Sequence, residues 1–120
     1  MSYDLAVWSH ERPMLLHEAK ETYAELCEGN SESLLPSGRR SSSINLFLSE
    51  LVREYPAPNS FSDDDLDKCA WNCDLDISEA YVLTCINYSR VQEVRPFISK
   101  LAIKHNLTCY DPQQQVILLE

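Results

Sequence analysis

The sequence predicts an α+β fold, a mostly antiparallel four- to five-stranded sheet with three helices packed on one face, as a ferredoxin-like variant. Three observations support this fold class. Apolar residues recur with a period of 3.6 in three separate stretches, which indicates three helices. Short apolar runs rich in β-branched and aromatic residues lie before and after those stretches, which indicates strands. The length of 120 residues suits one domain, so we expect a single α+β domain over residues 1–120.

The first half of the chain predicts one strand and two helices. Tyr3 to Trp8 is typical of a strand, and a helix should run from about Pro13 to Glu28, because proline suits a first helical turn. Residues 30–41 contain mostly turn-forming residues and predict a loop. The apolar pattern from Ile44 to Tyr55 is the clearest helical signal in the chain, and the proline that follows ends it.

The second half predicts strands around a third helix. An irregular stretch over residues 56–68 precedes a short strand within 71–77, and 80–87 predicts a central strand because both of its faces are apolar. Ser89 and Gln92 have the spacing of a capping box, so the third helix should begin there and continue to His105. Two strands, over 107–110 and 116–119, complete the predicted sheet.

The charge balance excludes two classes of function. Nineteen acidic residues against ten basic ones give a net charge of −9. Binding to nucleic acid or to an anionic membrane surface requires clustered Lys and Arg, so neither is expected. The chain has no apolar run long enough to cross a membrane and no secretion signal, which predicts a cytoplasmic protein. An acidic protein of this kind is suited to a basic protein partner.

The acidic charge concentrates between residues 61 and 79, where the net charge is −6. This segment is either a solvated loop or a docking surface for a basic partner. A calcium loop is disfavoured, because Lys68 stands where an EF-hand requires glycine. The candidate partner-binding residues of the segment are Asp63, Asp64, Asp65 and Asp67.

Two further features could belong to an interface. Trp71 adjoins the acidic run, and it either anchors the loop onto the sheet or inserts into a partner. Glu18, Glu21 and Glu25 form a row on the first helix that no Lys or Arg compensates. Such a row is unfavourable for an isolated helix, since like charges at this spacing repel, and it is a second candidate surface.

No pattern in the sequence predicts catalysis, a cofactor or a metal site. Cys69 and Cys73 have the spacing of half a zinc site, but a second ligand pair is missing. No motif places a nucleophile beside a base at a defined spacing, so we expect a protein that is not an enzyme. The alternative is a small ligand-binding module or enzyme with a pocket near His10 and Trp8.

Three stretches together resemble a known family. They are residues 1–8 (MSYDLAVW), 86–90 (INYSR) and 107–113 (LTCYDPQ). This set resembles a family of small bacterial cytosolic proteins that begin MSYDLxVW, with a Trp-Ser-Arg/Lys turn in the middle and a Cys-Phe/Tyr-Asp-Pro-Gln stretch near the end. The chain departs from that pattern at Tyr88 and at Asn106, where the family has Trp and Gly. The resemblance implies an immunity protein of a polymorphic toxin system.

The resemblance and the charge lead to one prediction of function. The protein is expected to bind and neutralise a cognate toxin through its acidic surface, without catalysis. Its partner would be a basic protein, a secreted toxin domain, because toxins that cut nucleic acid are basic at their active clefts. The chain itself could be a monomer, or a homodimeric structural protein that pairs edge strands or the apolar end near residues 116–119.

Overall fold

The computed structural model describes residues 2–9, 15–28, 42–77 and 81–118, and it confirms an α+β fold. Short 3₁₀ helices occupy Pro58–Ser60, Asp63–Lys68 and Tyr88–Arg90. The main elements, in chain order, are β1 (Ser2–Trp8), α1 (Leu16–Cys27), α2 (Ser42–Glu54), β2 (Asp76–Ile77), β3 (Tyr81–Asn87), α3 (Val91–Lys104), β4 (Thr108–Asp111) and β5 (Val116–Leu118).

The five strands form one sheet in the order β2-β3-β1-β4-β5, and every described pair is antiparallel. β1 lies in the middle, with Leu5 opposite Thr84 of β3 and Ala6 opposite Tyr110 of β4. From Leu5 to Trp8 every residue of β1 is buried. A strand that is covered on both faces needs such a continuous apolar run, which explains its composition.

The helices lie on both faces of the sheet, which corrects the prediction that all three pack on one face. Alternate side chains of β1 point in opposite directions, so Leu5 and Val7 pack with α2 and α3. Ala6 and Trp8 face the other way and pack with Ala19 of α1. The chain therefore departs from the ferredoxin-like variant, in which the helices would share one face.

The buried face of α1 is formed by residues in the middle of the helix and near its C-terminal end. Ala19, Thr22 and Leu26 are buried, whereas Leu16 and Cys27 at the two ends are exposed. The helix begins at Leu16, and the Glu18 carboxylate accepts the backbone N–H of Leu15 at 3.0 Å. Pro13 and the loop at 30–41 lie outside the described residues.

The start of α3 does not use the predicted capping box. Ser89 lies inside the Tyr88–Arg90 3₁₀ helix, which has no side-chain cap, and α3 begins at Val91. The helix continues through Pro96 to Lys104. Asn106 then adopts a positive φ of 57°, as expected for the residue that ends this helix.

Candidate functional site

The acidic segment, defined here as residues 61–77, is fixed along the outer edge of β3. Trp71 pairs with Ile86, and the N–H of Asn72 donates to the Cys85 carbonyl at 2.7 Å. β2 then continues the same edge, with Asp76 opposite Leu83. The part of the segment from residue 70 to 77 is therefore hydrogen-bonded to the sheet, and the Asp63–Lys68 helix lies just before it in the chain.

The Trp71 side chain attaches this segment to the core. It is 3% exposed, its indole N–H donates to the Tyr55 carbonyl at 2.9 Å, and its ring lies edge-on to the Tyr55 ring. Cys69 and Ala70 are buried in the same cluster. Of the two alternatives for Trp71, an anchor of the loop or a contact with a partner, the burial of its ring favours the anchor.

The aspartates of the Asp63–Lys68 helix differ in what they contact. Asp65 accepts the Ser62 hydroxyl at 3.1 Å and pairs with Lys68 at 3.2 Å, so its carboxylate helps to build the helix. Asp63 and Asp64 are exposed and make no ion pair with any described residue. The side chain of Asp67 lies outside the described residues. The surface available to a basic partner is therefore centred on Asp63 and Asp64.

Two basic side chains reach the acidic segment, and both are already paired. Lys68 pairs with Asp65 of its own helix. Arg90 donates from Nη1 to the Lys68 carbonyl at 2.9 Å, pairs with Glu93 through Nε, and lies 5.9 Å from the centre of the Tyr55 ring. Neither cation therefore neutralises Asp63 or Asp64. Asp74 and Asp76 add two further exposed carboxylates to the segment.

The Glu row on α1 is separate from the acidic segment. α1 packs on the opposite face of the sheet from the cluster that holds Trp71. Within the row only Glu21 is exposed, whereas Glu18 and Glu25 are half-buried, and Glu18 accepts a hydrogen bond at the start of the helix. The structure therefore does not join the two predicted surfaces into one.

A buried polar network, which the sequence did not indicate, lies at one end of the sheet. The Tyr3 hydroxyl donates to Oδ2 of Asp111 at 2.5 Å, and Arg95 donates to the same oxygen at 3.0 Å. The Asp111 carboxylate is 0% exposed, and the Tyr3 ring packs edge-on against Tyr88 at 5.9 Å. The three stretches that carry the family resemblance thus meet at this end of the sheet.

Gln113 completes this network, and its side chain replaces a backbone hydrogen bond that is missing between β1 and the residues after β4. Its side-chain amide accepts the Asp4 N–H at 2.6 Å and donates to the Asp4 carbonyl at 2.7 Å. The β1–β4 register, continued by two residues, places Pro112 opposite Asp4. Proline has no N–H to donate, so the Gln113 amide supplies the donor that the ladder lacks.

The second oxygen of Asp111 is fully used by the turn that follows β4. Oδ1 accepts the backbone N–H groups of Gln113 and Gln114, at 3.0 and 3.1 Å, and the Gln113 side-chain amide at 2.8 Å. Burial raises the pKa of Asp111, but hydrogen bonds from Tyr3, the turn and Arg95 outweigh it and hold the pKa below its usual range. These contacts indicate a stabilising role rather than a reactive carboxylate.

The described residues bear on a metal site and on the alternative pocket as follows. Among the described residues no three His, Cys, Asp or Glu side chains are arranged to hold a metal ion. Trp8, one of the two residues of the predicted alternative pocket, is 0% exposed and packs with Ala19 of α1. His10, the other residue of that alternative, lies outside the described residues. Within the described ranges no helix is long and apolar enough to span a membrane.

Comparisons of the chain with known protein families, with curated proteins and with solved structures find no match.

Proposed function

We propose that this protein is a non-enzymatic immunity protein that binds a basic toxin domain through the acidic segment and thereby neutralises it. One observation carries the proposal. Asp63 and Asp64 stand exposed on the Asp63–Lys68 3₁₀ helix, which directly precedes the residues that are hydrogen-bonded to β3, and no described cation pairs with them. Carboxylates in this state are available to a partner's Lys and Arg.

The free energy needed to form a new ion pair is lower for an unpaired carboxylate than for a paired one. A charged side chain that is already paired must lose its partner before it can form a new ion pair, whereas an unpaired one loses only water. Because Trp71 and the pairing with β3 fix the C-terminal part of the segment, and residues 63–68 already form a 3₁₀ helix, less of its backbone has to become ordered on binding. The uncompensated charge also attracts a basic surface over several ångströms and raises the association rate.

The class of partner follows from charge and from the resemblance. A protein with a net charge of −9 repels nucleic acid, and a cleft that cuts nucleic acid is basic. A rigid acidic surface can occupy such a cleft and exclude the substrate. This chemistry supports a basic toxin domain as the partner, and the family resemblance supports an immunity role.

The experiment is co-expression with the product of the adjacent gene. We expect the adjacent product to inhibit growth when expressed alone, growth to recover when this protein is present, and the two to copurify. Asp64→Lys should weaken the rescue, whereas Glu21→Lys, with the same change in charge on the opposite face, should not. The proposal would be contradicted if growth does not recover, or if growth recovers although the two proteins form no complex.

A further inference from the structure

Tyr88 is the one exposed aromatic side chain in the part of the chain that the structure describes. It is 52% exposed, whereas the other described aromatic residues are buried or half-buried. It begins the Tyr88–Arg90 3₁₀ helix, directly after the last residue of β3. Tyrosine is enriched among the residues that contribute most to the binding of a protein partner, so an exposed tyrosine is a candidate contact residue.

The Tyr88 backbone lies beside the C-terminal end of the acidic 3₁₀ helix. Asn87, one residue before Tyr88, donates its N–H to the Ala70 carbonyl at 2.8 Å. Arg90, two residues after Tyr88, donates from Nη1 to the Lys68 carbonyl at 2.9 Å. These two contacts lie on either side of Tyr88 in the chain, so the two short helices adjoin.

One protein interface of ordinary size can cover both helices. A 3₁₀ helix rises about 2 Å per residue, so Asp63 and Asp64 lie within ~10 Å of Lys68 along the helix axis. A standard interface covers about 800 Å² on each partner, which corresponds to a patch roughly 30 Å across. A partner that contacts the two aspartates can therefore also contact Tyr88.

The Tyr88 ring is held in place by its neighbours. It packs edge-on against the Tyr3 ring, with 5.9 Å between the ring centres. Tyr3 is itself buried, and its hydroxyl is hydrogen-bonded to Asp111. Because a tyrosine side chain has only two torsions and this one already packs on a fixed ring, little conformational entropy is lost when a partner covers it.

We propose that Tyr88 is the aromatic contact residue of the surface that binds the basic toxin domain, and that its ring packs against a Lys or Arg side chain of that domain. The inference rests on the proposed function, since it names a contact for the same partner. A cation over an aromatic face is attracted by the ring, and the aliphatic part of a Lys or Arg side chain buries apolar area there. Trp71, the aromatic residue that the sequence offers for this contact, has its ring in the core.

The ring and the carboxylates should act on different rate constants. Asp63 and Asp64 attract a basic surface before contact, so they act mainly on association. The Tyr88 ring interacts only once the two surfaces touch, so it acts mainly on dissociation. This difference separates the contribution of Tyr88 from that of the acidic charge.

The test is to measure the binding kinetics of the copurified toxin domain with variants of the full chain. We expect Tyr88→Ala to raise the dissociation rate constant about 10- to 30-fold and to change the association rate constant less than about twofold. Tyr88→Phe, which keeps the ring, should retain most of the affinity. The matched control is Ile103→Ala: Ile103 is 41% exposed and lies ~18 Å along α3 from its start at Val91, so both rate constants should be unchanged.

A second variant separates binding from folding, because Tyr88→Ala also removes the packing on Tyr3. Tyr88→Leu keeps an apolar contact with Tyr3 but removes the aromatic face, and it should also raise the dissociation rate constant. If both variants remain folded in urea titrations and dissociate as slowly as the natural protein, this inference is wrong and the proposed function stands. If the natural protein forms no complex, the proposed function fails and the inference fails with it.

Discussion

The Tyr3 hydroxyl donates a 2.5 Å hydrogen bond to Oδ2 of Asp111, although the two residues are 108 positions apart in the chain. This contact joins the central strand β1 to the turn after β4. Arg95 of α3 donates to the same oxygen, so the strand, the turn and the helix share one buried carboxylate. The network is therefore a main support of this end of the sheet.

Replacement of Asp111 tests the network directly. Asp111→Asn keeps the side-chain volume but removes the charge that faces Arg95 and places an amide among donors. Because Arg95 is 29% exposed and can recover water, we expect a loss of ~2–4 kcal/mol in the free energy of unfolding, measured in urea. Tyr3→Phe should cost ~1–2 kcal/mol.

The two substitutions should not be additive. Tyr3→Phe made in the Asp111→Asn protein should cost clearly less than in the natural one, because the hydroxyl no longer meets a carboxylate. Equal costs in both backgrounds would show that the hydroxyl and the carboxylate do not interact in solution.

Acid should destabilise the protein through two carboxylates. The Lys104 and His105 side chains hold the pKa of Glu50 at about 2, and the network holds that of Asp111 below its usual value. Both pKa values rise on unfolding, so the stabilising contribution is complete above about pH 4.5 and is lost as the pH falls towards about 2. Equilibrium unfolding measured across this range should show the decline.

Two substitutions in α2 separate the contribution of Glu50 from the general effect of acid on stability. Glu50→Gln should make the decline in stability between about pH 4.5 and 2 shallower. Glu54→Gln, an exposed position on the same helix without a described ion pair, should leave the slope unchanged. If both variants keep the natural slope, Glu50 is not paired with Lys104 in solution.

The role of Trp71 is testable through its indole N–H. Trp71→Phe keeps an aromatic ring in the core but removes the hydrogen bond to the Tyr55 carbonyl, and we expect a loss of ~1–3 kcal/mol in unfolding free energy. Trp8, the other tryptophan, remains as a buried fluorescent reporter of unfolding. A variant as stable as the natural protein would show that Trp71 does not anchor the segment.

Charge reversal tests whether the acidic segment steers a partner. With the toxin domain obtained by copurification, the double variant Asp63→Lys, Asp64→Lys should lower the association rate constant roughly tenfold at low salt and weaken its dependence on salt. Stopped-flow fluorescence measures both. The single variants Asp64→Lys and Glu21→Lys change the net charge equally, so equal slowing by both would assign the effect to net charge alone.

Local sequence patterns predicted most elements of this fold. The helix from Ser42 to Glu54, the strands and the left-handed Asn106 all follow from periodicity and from individual backbone preferences. These signals involve residues within one or two turns of each other, which is why they can be read along the chain. Only the β2–β3 and β4–β5 pairings join strands that are neighbours in the sequence, whereas β1 pairs with two strands that lie far along the chain.

The arrangement of these elements depended on contacts between distant parts of the chain. Which face of the sheet α1 covers, and the burial of Trp71, are set by how apolar surfaces fit together, and the helix periodicity is compatible with either face. The Tyr3–Asp111 network joins residues that no spacing rule relates. The sequence by itself determined the composition, the excess of acid and the local elements. Only the tertiary structure decided which carboxylates are paired and which remain exposed, because pairing depends on neighbours that folding brings together.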